Sequence, residues 1–423
     1  MNNTNWKRTF YILWAGQAVS VLTSSVLQMA LIWYLTAITQ SAFILSMASL
    51  AGFLPSAVLG TVAGTLIDRM DRKTVLIVAD LFIALVSLII AAVSFYSSLP
   101  VWLVITVLAV RSIGTAFHTP AISAVAPLIV PTEQLTKCAG YTQSLQTIGY
   151  IAGTAIAGVL YPIWSISGMV ALDVAGAVIA SLAVSLIRIP KPEKDAETRS
   201  DTSFWIEMKE GYSIVKQDKG VFALIWIAAA FTLLYSPINA LFPLMSLDYF
   251  EGTTLQASVA EIAFSAGMII GGIILGMCGG FKNRGIGISI SIALMGVPIF
   301  ISGLLPQNGF WGFAFLCVIM GLSGPFYNGP VTALMQERIA ADYLGRVFGL
   351  YGSAASLAMP VGLIISGFFA DGIGVNKWFL ITGILIVFIS VLCYVMPFVK
   401  NIDNNEAEKK EKVLGNSLDI GIF

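Results

Sequence analysis

Long apolar stretches alternate with short polar ones along the whole chain. A helix needs about 20 apolar residues to cross a bilayer. Twelve runs approach or exceed that length: 9–35, 42–67, 74–97, 101–121, 139–161, 168–188, 221–247, 256–279, 286–305, 309–330, 346–369 and 377–399. The pattern predicts an all-α membrane protein with twelve transmembrane helices. Two long polar segments interrupt it, residues 189–220 and a charged tail over 400–423. The first divides the spans six and six. It predicts an N-terminal bundle over 1–188, a cytoplasmic linker over 189–220, a C-terminal bundle over 221–399 and a tail over 400–423. Residues 203–217 place apolar and charged positions at helical spacing, which fits an amphipathic linker helix lying on the membrane surface.

Lys and Arg orient the spans. With the N-terminus in the cytoplasm, 21 of the 23 basic residues fall on the cytoplasmic side. Lys377 falls outside and Arg111 lies within span 4. The positive-inside rule therefore predicts that both termini are cytoplasmic. The densest cluster is the turn between spans 2 and 3, Gly64-Thr65-Leu66-Ile67-Asp68-Arg69-Met70-Asp71-Arg72-Lys73. Gly64 lets two helices approach closely. Asp68 stands at a helix C-terminus, where the macrodipole disfavours a carboxylate, so it needs a cationic partner. Asp71 is a residue type that tolerates left-handed turn geometry. The two halves also repeat weakly. Gly60, Gly64 and Arg72 recur as Gly272, Gly276 and Arg284, which predicts a parallel six-helix repeat. The second copy of the turn, Gly279 to Arg284, lacks the Asp.

Composition narrows the function classes. The chain is 57% hydrophobic and 11% charged, with mean hydropathy +0.87, whereas soluble domains carry about 25% charged residues. Cys138, Cys278, Cys317 and Cys393 have no framework or CxxC spacing, and there is one His. No metal site is expected. No phosphate loop or nucleophile–base spacing is present, so neither an enzyme nor a directly ATP-driven pump is expected. A near-zero net charge without a basic face gives no reason to expect a nucleic-acid partner.

Charges within the spans are the informative ones, because each is costly in hydrocarbon. They are Asp80, Arg111, Asp173 and Glu261. Arg111 shares a helix face with Gly114, Thr115 and His118. It is either a fixed cation that tunes a nearby carboxylate or a structural tether. Glu261 shares a face with Ser265, Met268, Gly272 and Gly276, and is the first candidate to bind and release a proton. Asp173 is a weaker member of that proton-coupling set, because its neighbours Gly176, Ala177 and Ala180 suggest packing. Asp80 lies about one and a half turns from Arg72 and Lys73, which predicts a structural ion pair with them. His118 is expected to be a satisfied structural histidine.

Polar positions on an apolar, aromatic ground mark a substrate surface. Span 1 offers Gln17, Ser20, Ser24 and Gln28 on one face. Span 7 offers Thr232, Tyr235, Ser236 and Asn239, and span 10 ends in Phe326, Tyr327 and Asn328. Of these, Gln17, Ser24, Gln28, Tyr235, Asn239 and Tyr327 are the expected cavity residues. Hydrogen bonding between helices explains some Ser and Thr, but less readily two Gln on one stripe. No ring of acids or bases lines these faces, so the expected substrate is a large amphipathic molecule.

The charged turn resembles the loop 2–3 signature of the major facilitator superfamily, and its Asp-Arg-x-Asp-Arg form resembles the drug-exporter branch. Arg111 followed by Gly114 resembles the span 4 motif of proton-linked exporters, with the Gly one residue early. Gly149-x-x-x-Gly153-Thr154 resembles the span 5 exporter motif, with Thr in place of Pro. Over residues 5 to 400 the chain resembles the macrolide-efflux (Mef-type) proteins of Gram-positive bacteria, in the stretches FYILWAGQAVS, LSMASLAGFLP, DRMDRK, RSIGTAFHTPA, EQLTKCAGYTQSLQ, PINALFPL and LGRVFGL. That resemblance implies export of macrolides by proton antiport with alternating access, no cofactor beyond the proton gradient, and functional pairing with an ABC-F protein. It also implies a cytoplasmic gate made by Gly64, Asp68, Arg69, Asp71, Arg72 and Lys73, with Asp68 latched to the N-terminus of helix 11. A monomer in the cell membrane is expected. Export of a native metabolite such as a siderophore or peptide, and a non-transporting membrane sensor, remain open on the residues alone.

Overall fold

The computed structural model describes residues 5–67, 70–131, 134–189, 212–213, 215–281, 283–339 and 341–400. Among these residues there are long helices and no strands. In lipid the backbone must bond to itself, and a helix does so within one segment. The helices are α1 (Asn5–Thr39), α2 (Ala42–Ile67), α3 (Arg72–Tyr96), α4 (Val101–Ile129), α5 (Leu135–Leu160), α6 (Ile166–Leu186), α7 (Lys219–Leu244), α8 (Thr254–Cys278), α9 (Arg284–Leu304), α10 (Phe310–Arg338), α11 (Ala341–Ile373) and α12 (Val375–Val395). A π-turn, Met245–Tyr249, extends α7, and a short helix, Pro397–Lys400, follows α12. Eleven of the twelve are long and apolar enough to cross a membrane. In α5 the apolar stretch among the described residues is Ser144–Leu160. The protein is thus a multi-pass membrane protein.

The chain forms two compact units. One contains residues 1–199 and 240–262, the other 200–239 and 263–423. In the first unit α1 packs along α5 and α6, α3 along α4 and α6, and α2 along α4. Between α1 and α5 the approach is set by Gly153, where a Cβ would lie 2.5 Å from Ser25 Cβ and 2.9 Å from the Leu22 carbonyl. Lipid tails are as apolar as Leu, so helix association there rests on close packing rather than on hydrophobic burial. Ser258 on α8 donates to the Thr154 carbonyl of α5 at 3.1 Å.

In the second unit α9 packs along α12 and α10. The α8–α10 crossing is backbone on backbone. A Cβ on Gly267 would collide with the Val318 carbonyl, and one on Gly321 with the Phe264 carbonyl. At the end of α10, Arg338 grips Asp218 with two hydrogen bonds of 2.8 and 2.7 Å, above an apolar cluster of Val215, Val221, Ile339 and Val347.

The turn between α2 and α3 departs from expectation at Asp71. Its φ is −71° and ψ 108°, an extended N-cap, and it accepts a 2.7 Å hydrogen bond from the Thr74 hydroxyl. Asp71 itself is therefore not left-handed. Left-handed geometry occurs instead in the second turn, at Gly279 (φ 69°) and Gly280 (φ 82°).

Candidate functional site

Each unit carries its own cavity. The first unit's cavity holds about 280 Å³ and is walled by α1, α3, α4 and α5, with Gly52 of α2 and Ala177 of α6. Gln17, Ser24 and Gln28 all line it. They lie on one polar stripe of α1, flanked by Val21 and Ser25 against α5 and by Thr23 against α6.

The charges in this unit are satisfied to different degrees. Arg111 and Asp173 form an ion pair at 2.6 Å, both buried. The Asp173 carboxylate also accepts from Ser24 at 2.6 Å and from Ser87 at 3.1 Å, and Arg111 touches Ser87 as well. A buried ion pair persists when its geometry is good and the remaining lone pairs are met, and here both carboxylate oxygens have donors. The sequence reading named both Arg111 and Asp173 without pairing them. Ser87 was missed, although it lies two turns from Asp80 on one face of α3.

Asp80 does not pair with Arg72 or Lys73. Lys73 instead donates to the carbonyls of Ser185 and Ile187, at 2.7 and 2.8 Å, which meets orphan acceptors at the end of α6. Arg72 donates to the Ala124 carbonyl at 2.7 Å. Asp80 is buried in the cavity wall between two weak partners. Gln17 donates to it at 3.4 Å, and His118 Nε2 lies 3.3 Å away without an aligned hydrogen bond. Because the Gln17 amide nitrogen faces Asp80, its Oε1 faces the other way, and that oxygen is buried and unpartnered. A buried acceptor left unmade costs about 1–3 kcal/mol.

Glu261 on α8 is half-buried and accepts a hydrogen bond from the Tyr150 hydroxyl of α5. Tyr150 itself lines the cavity. The sequence reading passed over Tyr150, which Gln146 one turn earlier could have marked. Of the gate residues, Gly64 lies in the last turn of α2, while Asp71, Arg72 and Lys73 hold the start of α3 as described. Asp68 and Arg69 lie outside the described residues.

The second unit's cavity holds about 340 Å³. Phe231 stacks on Tyr235 at 5.6 Å and on Tyr327 at 5.4 Å, with Phe264, Met268 and Met295 nearby in the wall. The Tyr351 hydroxyl donates to that of Tyr327 at 3.4 Å. Tyr235 and Tyr327 are the expected lining residues, whereas Asn239 is exposed and lines neither cavity. Phe231 was missed, though it precedes Tyr235 by one turn. No group of three or more potential metal ligands occurs among the described residues.

Among the described residues, twelve long helices, with a charge-bearing cavity in one unit and an aromatic cavity in the other, suit a membrane transporter. Comparison with known proteins agrees. The profile of the Major Facilitator Superfamily matches residues 13–362 and 250–418. Macrolide efflux protein A of Streptococcus pyogenes is 55% identical over 399 residues, 94% of this chain and 98% of that one. Macrolide efflux protein A of Enterococcus faecalis is 54% identical over 323 residues, 76% of this chain and 99% of that one. Among solved structures, a bacterial homologue of the human lysosomal transporter Spinster aligns with TM-score 0.71 at 12% identity, covering 95% of this chain and 99% of the other. The chain belongs to the major facilitator superfamily.

Proposed function

We propose that this protein exports amphipathic drugs, macrolides foremost, by proton antiport with alternating access. The observation that carries the reading is its 55% identity, over nearly the full length of both chains, to a protein named for macrolide efflux. The first unit's polar cavity and the second unit's aromatic one suit a substrate with both hydroxylated and apolar surfaces.

In this reading the spans form two six-helix repeats with both termini in the cytoplasm, as 21 of 23 basic residues favour. Glu261 is the carboxyl that takes and releases the proton, because it sits in a span and is held by one tyrosine hydroxyl. Arg111 and Asp173 keep the wall beside it in register. The energy source is the proton gradient, without a cofactor. The protein acts as a monomer in the bilayer, and pairing with an ABC-F protein belongs to the resistance phenotype. Asp68 with Arg72 holds the cytoplasmic gate.

The test is erythromycin accumulation in a susceptible Gram-positive host expressing the chain, with and without a protonophore. Low accumulation that rises when the gradient collapses is the expected outcome. Unchanged accumulation, with the protein present in the membrane, would move the function to a native metabolite.

A further inference from the structure

Within the first unit the seam between α5 and the outer part of α8 is laced at three points. Thr254 donates to the Gly158 carbonyl at 3.4 Å. One turn along, the Ser258 hydroxyl lies 3.1 Å from the Thr154 carbonyl and 3.0 Å from the Thr254 carbonyl of its own helix. One turn further, the Tyr150 hydroxyl donates to Glu261. The order 150, 154, 158 on α5 meets 261, 258, 254 on α8, so each set lies on one helix face and the two helices run antiparallel. The helices touch at Gly158, where a Cβ would collide with Ser258. This close packing fixes where Glu261 meets α5. The third tie also runs the other way. Its donor is on α5, and its acceptor is a carboxyl, which a proton neutralises, whereas the first two end on backbone carbonyls.

We propose that Tyr150 is the positioning residue of the proton site: its hydroxyl holds the ionised Glu261 carboxylate on the α5 seam and so sets how readily that carboxyl takes a proton. A donor aimed at the charged form favours that form, and a charge-assisted hydrogen bond is about twice as strong as a neutral one. The hydroxyl's other neighbour competes poorly, because it is Met29 Sδ of α1 at 4.0 Å, a weak acceptor. The ring lines the first unit's cavity, so one side chain is both cavity wall and donor to the carboxyl. Other charges near the site are engaged elsewhere. On the remaining walls of the cavity, Arg111 pairs with Asp173, and Asp80 lies 3.3 Å from His118. α1 brings Gln28 and Met29, which do not titrate. Asp248 and Glu251 precede α8, about three turns or more before Glu261. Where α8 crosses α10, the facing groups belong to Val318 and Leu322. The coupling role of Glu261 rests on the drug-export reading above, but the hold of Tyr150 on its proton is tested apart from that reading.

The test is an infrared pH titration of the full chain in lipid nanodiscs, with no drug present. The C=O stretch of a protonated carboxyl that is missing in Glu261→Gln reports Glu261, and its midpoint is the quantity read. Tyr150→Phe keeps the ring and removes the donor. The ionised form then loses its support, so the proton is held to higher pH, and the midpoint is expected to rise by about one pH unit or more. Placing 3-fluorotyrosine at position 150 keeps every hydrogen bond and strengthens the donor, and is expected to lower the midpoint. Ser258→Ala cuts the neighbouring tie and is expected to leave the midpoint in place. A midpoint that stays put in folded Tyr150→Phe overturns the proposal, and so does one that Ser258→Ala moves as far. If Tyr150→Phe does not fold, the fluorinated side chain decides alone, and an unaltered midpoint overturns the proposal. If no carboxyl band depends on Glu261, the site does not exist. Equilibrium dialysis of erythromycin against the same nanodiscs across pH tests the drug-export reading separately. Affinity that changes about the midpoint, and follows it in Tyr150→Phe, ties the drug to this proton. Affinity that ignores the midpoint, while the infrared shift holds, leaves the role of Tyr150 standing and removes Glu261 from coupling.

Discussion

The two cavities are similar in size, about 280 and 340 Å³, yet they are built from different chemistry. The first unit places Asp80, Arg111 and His118 among amides and hydroxyls. The second stacks Phe231 between Tyr235 and Tyr327, with Met268 and Met295 in its wall. Charge in a membrane interior must be met side chain by side chain, so the first wall is a network of specific partners from different helices. Aromatic and thioether surface needs no such partners, and Met adapts its shape readily. The comparison teaches where each cavity is fragile. The first fails when one partner is removed, whereas the second loses affinity gradually.

The strongest way to break this contrast is Asp173→Asn. It leaves Arg111 buried beside an uncharged amide, and removal of one partner of a buried pair costs about 3–5 kcal/mol. A steep fall in melting temperature and in membrane yield is expected. Asp173→Asn with Arg111→Gln removes both charges and is expected to recover most of that stability. A double variant as unstable as the single one would mean that the pair is not the source of the loss.

Glu261→Gln comes next. Glutamine still accepts from the Tyr150 hydroxyl, so stability is expected to change by less than about 1 kcal/mol. Export driven by the gradient is expected to stop, read as erythromycin accumulation equal to that of cells lacking the protein. Full export by this variant would remove Glu261 from proton coupling.

How much of this is legible in the sequence divides along the same line. The spans were legible because the bilayer allows few backbone solutions and marks each with about 20 apolar residues. The aromatic cavity was half legible, since Tyr235 and Tyr327 were named while Phe231 looked like one more apolar residue on α7. The charged residues were legible as residues but not as partners. Arg111 and Asp173 lie 62 positions apart, and the packing of α3 along both α4 and α6, which no local period encodes, brings them together. Asp80 shows the same limit. Proximity in sequence suggested Arg72 and Lys73, but those side chains reach carbonyls of α4 and the end of α6, while Gln17 and His118 come to Asp80 from other helices. Asn239 shares a predicted face with Tyr235 but lies a turn further along, where α7 exposes it.

A gentler probe of the second cavity is Phe231→Ala. The ring makes two stacked contacts, each worth about 0.5–1.5 kcal/mol beyond area burial. Erythromycin is expected to bind about fivefold to tenfold more weakly, read by the same dialysis. The response of export to the proton gradient should persist at saturating drug. Loss of gradient dependence in Phe231→Ala would show that coupling is not confined to the charged residues of the first unit.

The smallest expected effect is that of Tyr351→Phe. Its hydroxyl donates to Tyr327 at 3.4 Å, beyond the usual range for an O–H···O bond, so the contact contributes little to the fold. The ring that packs in the wall is kept. Less than about a twofold change in drug affinity is expected, because a neutral hydrogen bond is worth about 0.5–1.5 kcal/mol at good geometry and less at this length. A large loss would mean that the Tyr351 hydroxyl turns from Tyr327 to the substrate when the cavity fills. The second cavity would then read polar groups one by one, as the first does, and the contrast between them would shrink to the presence of net charge.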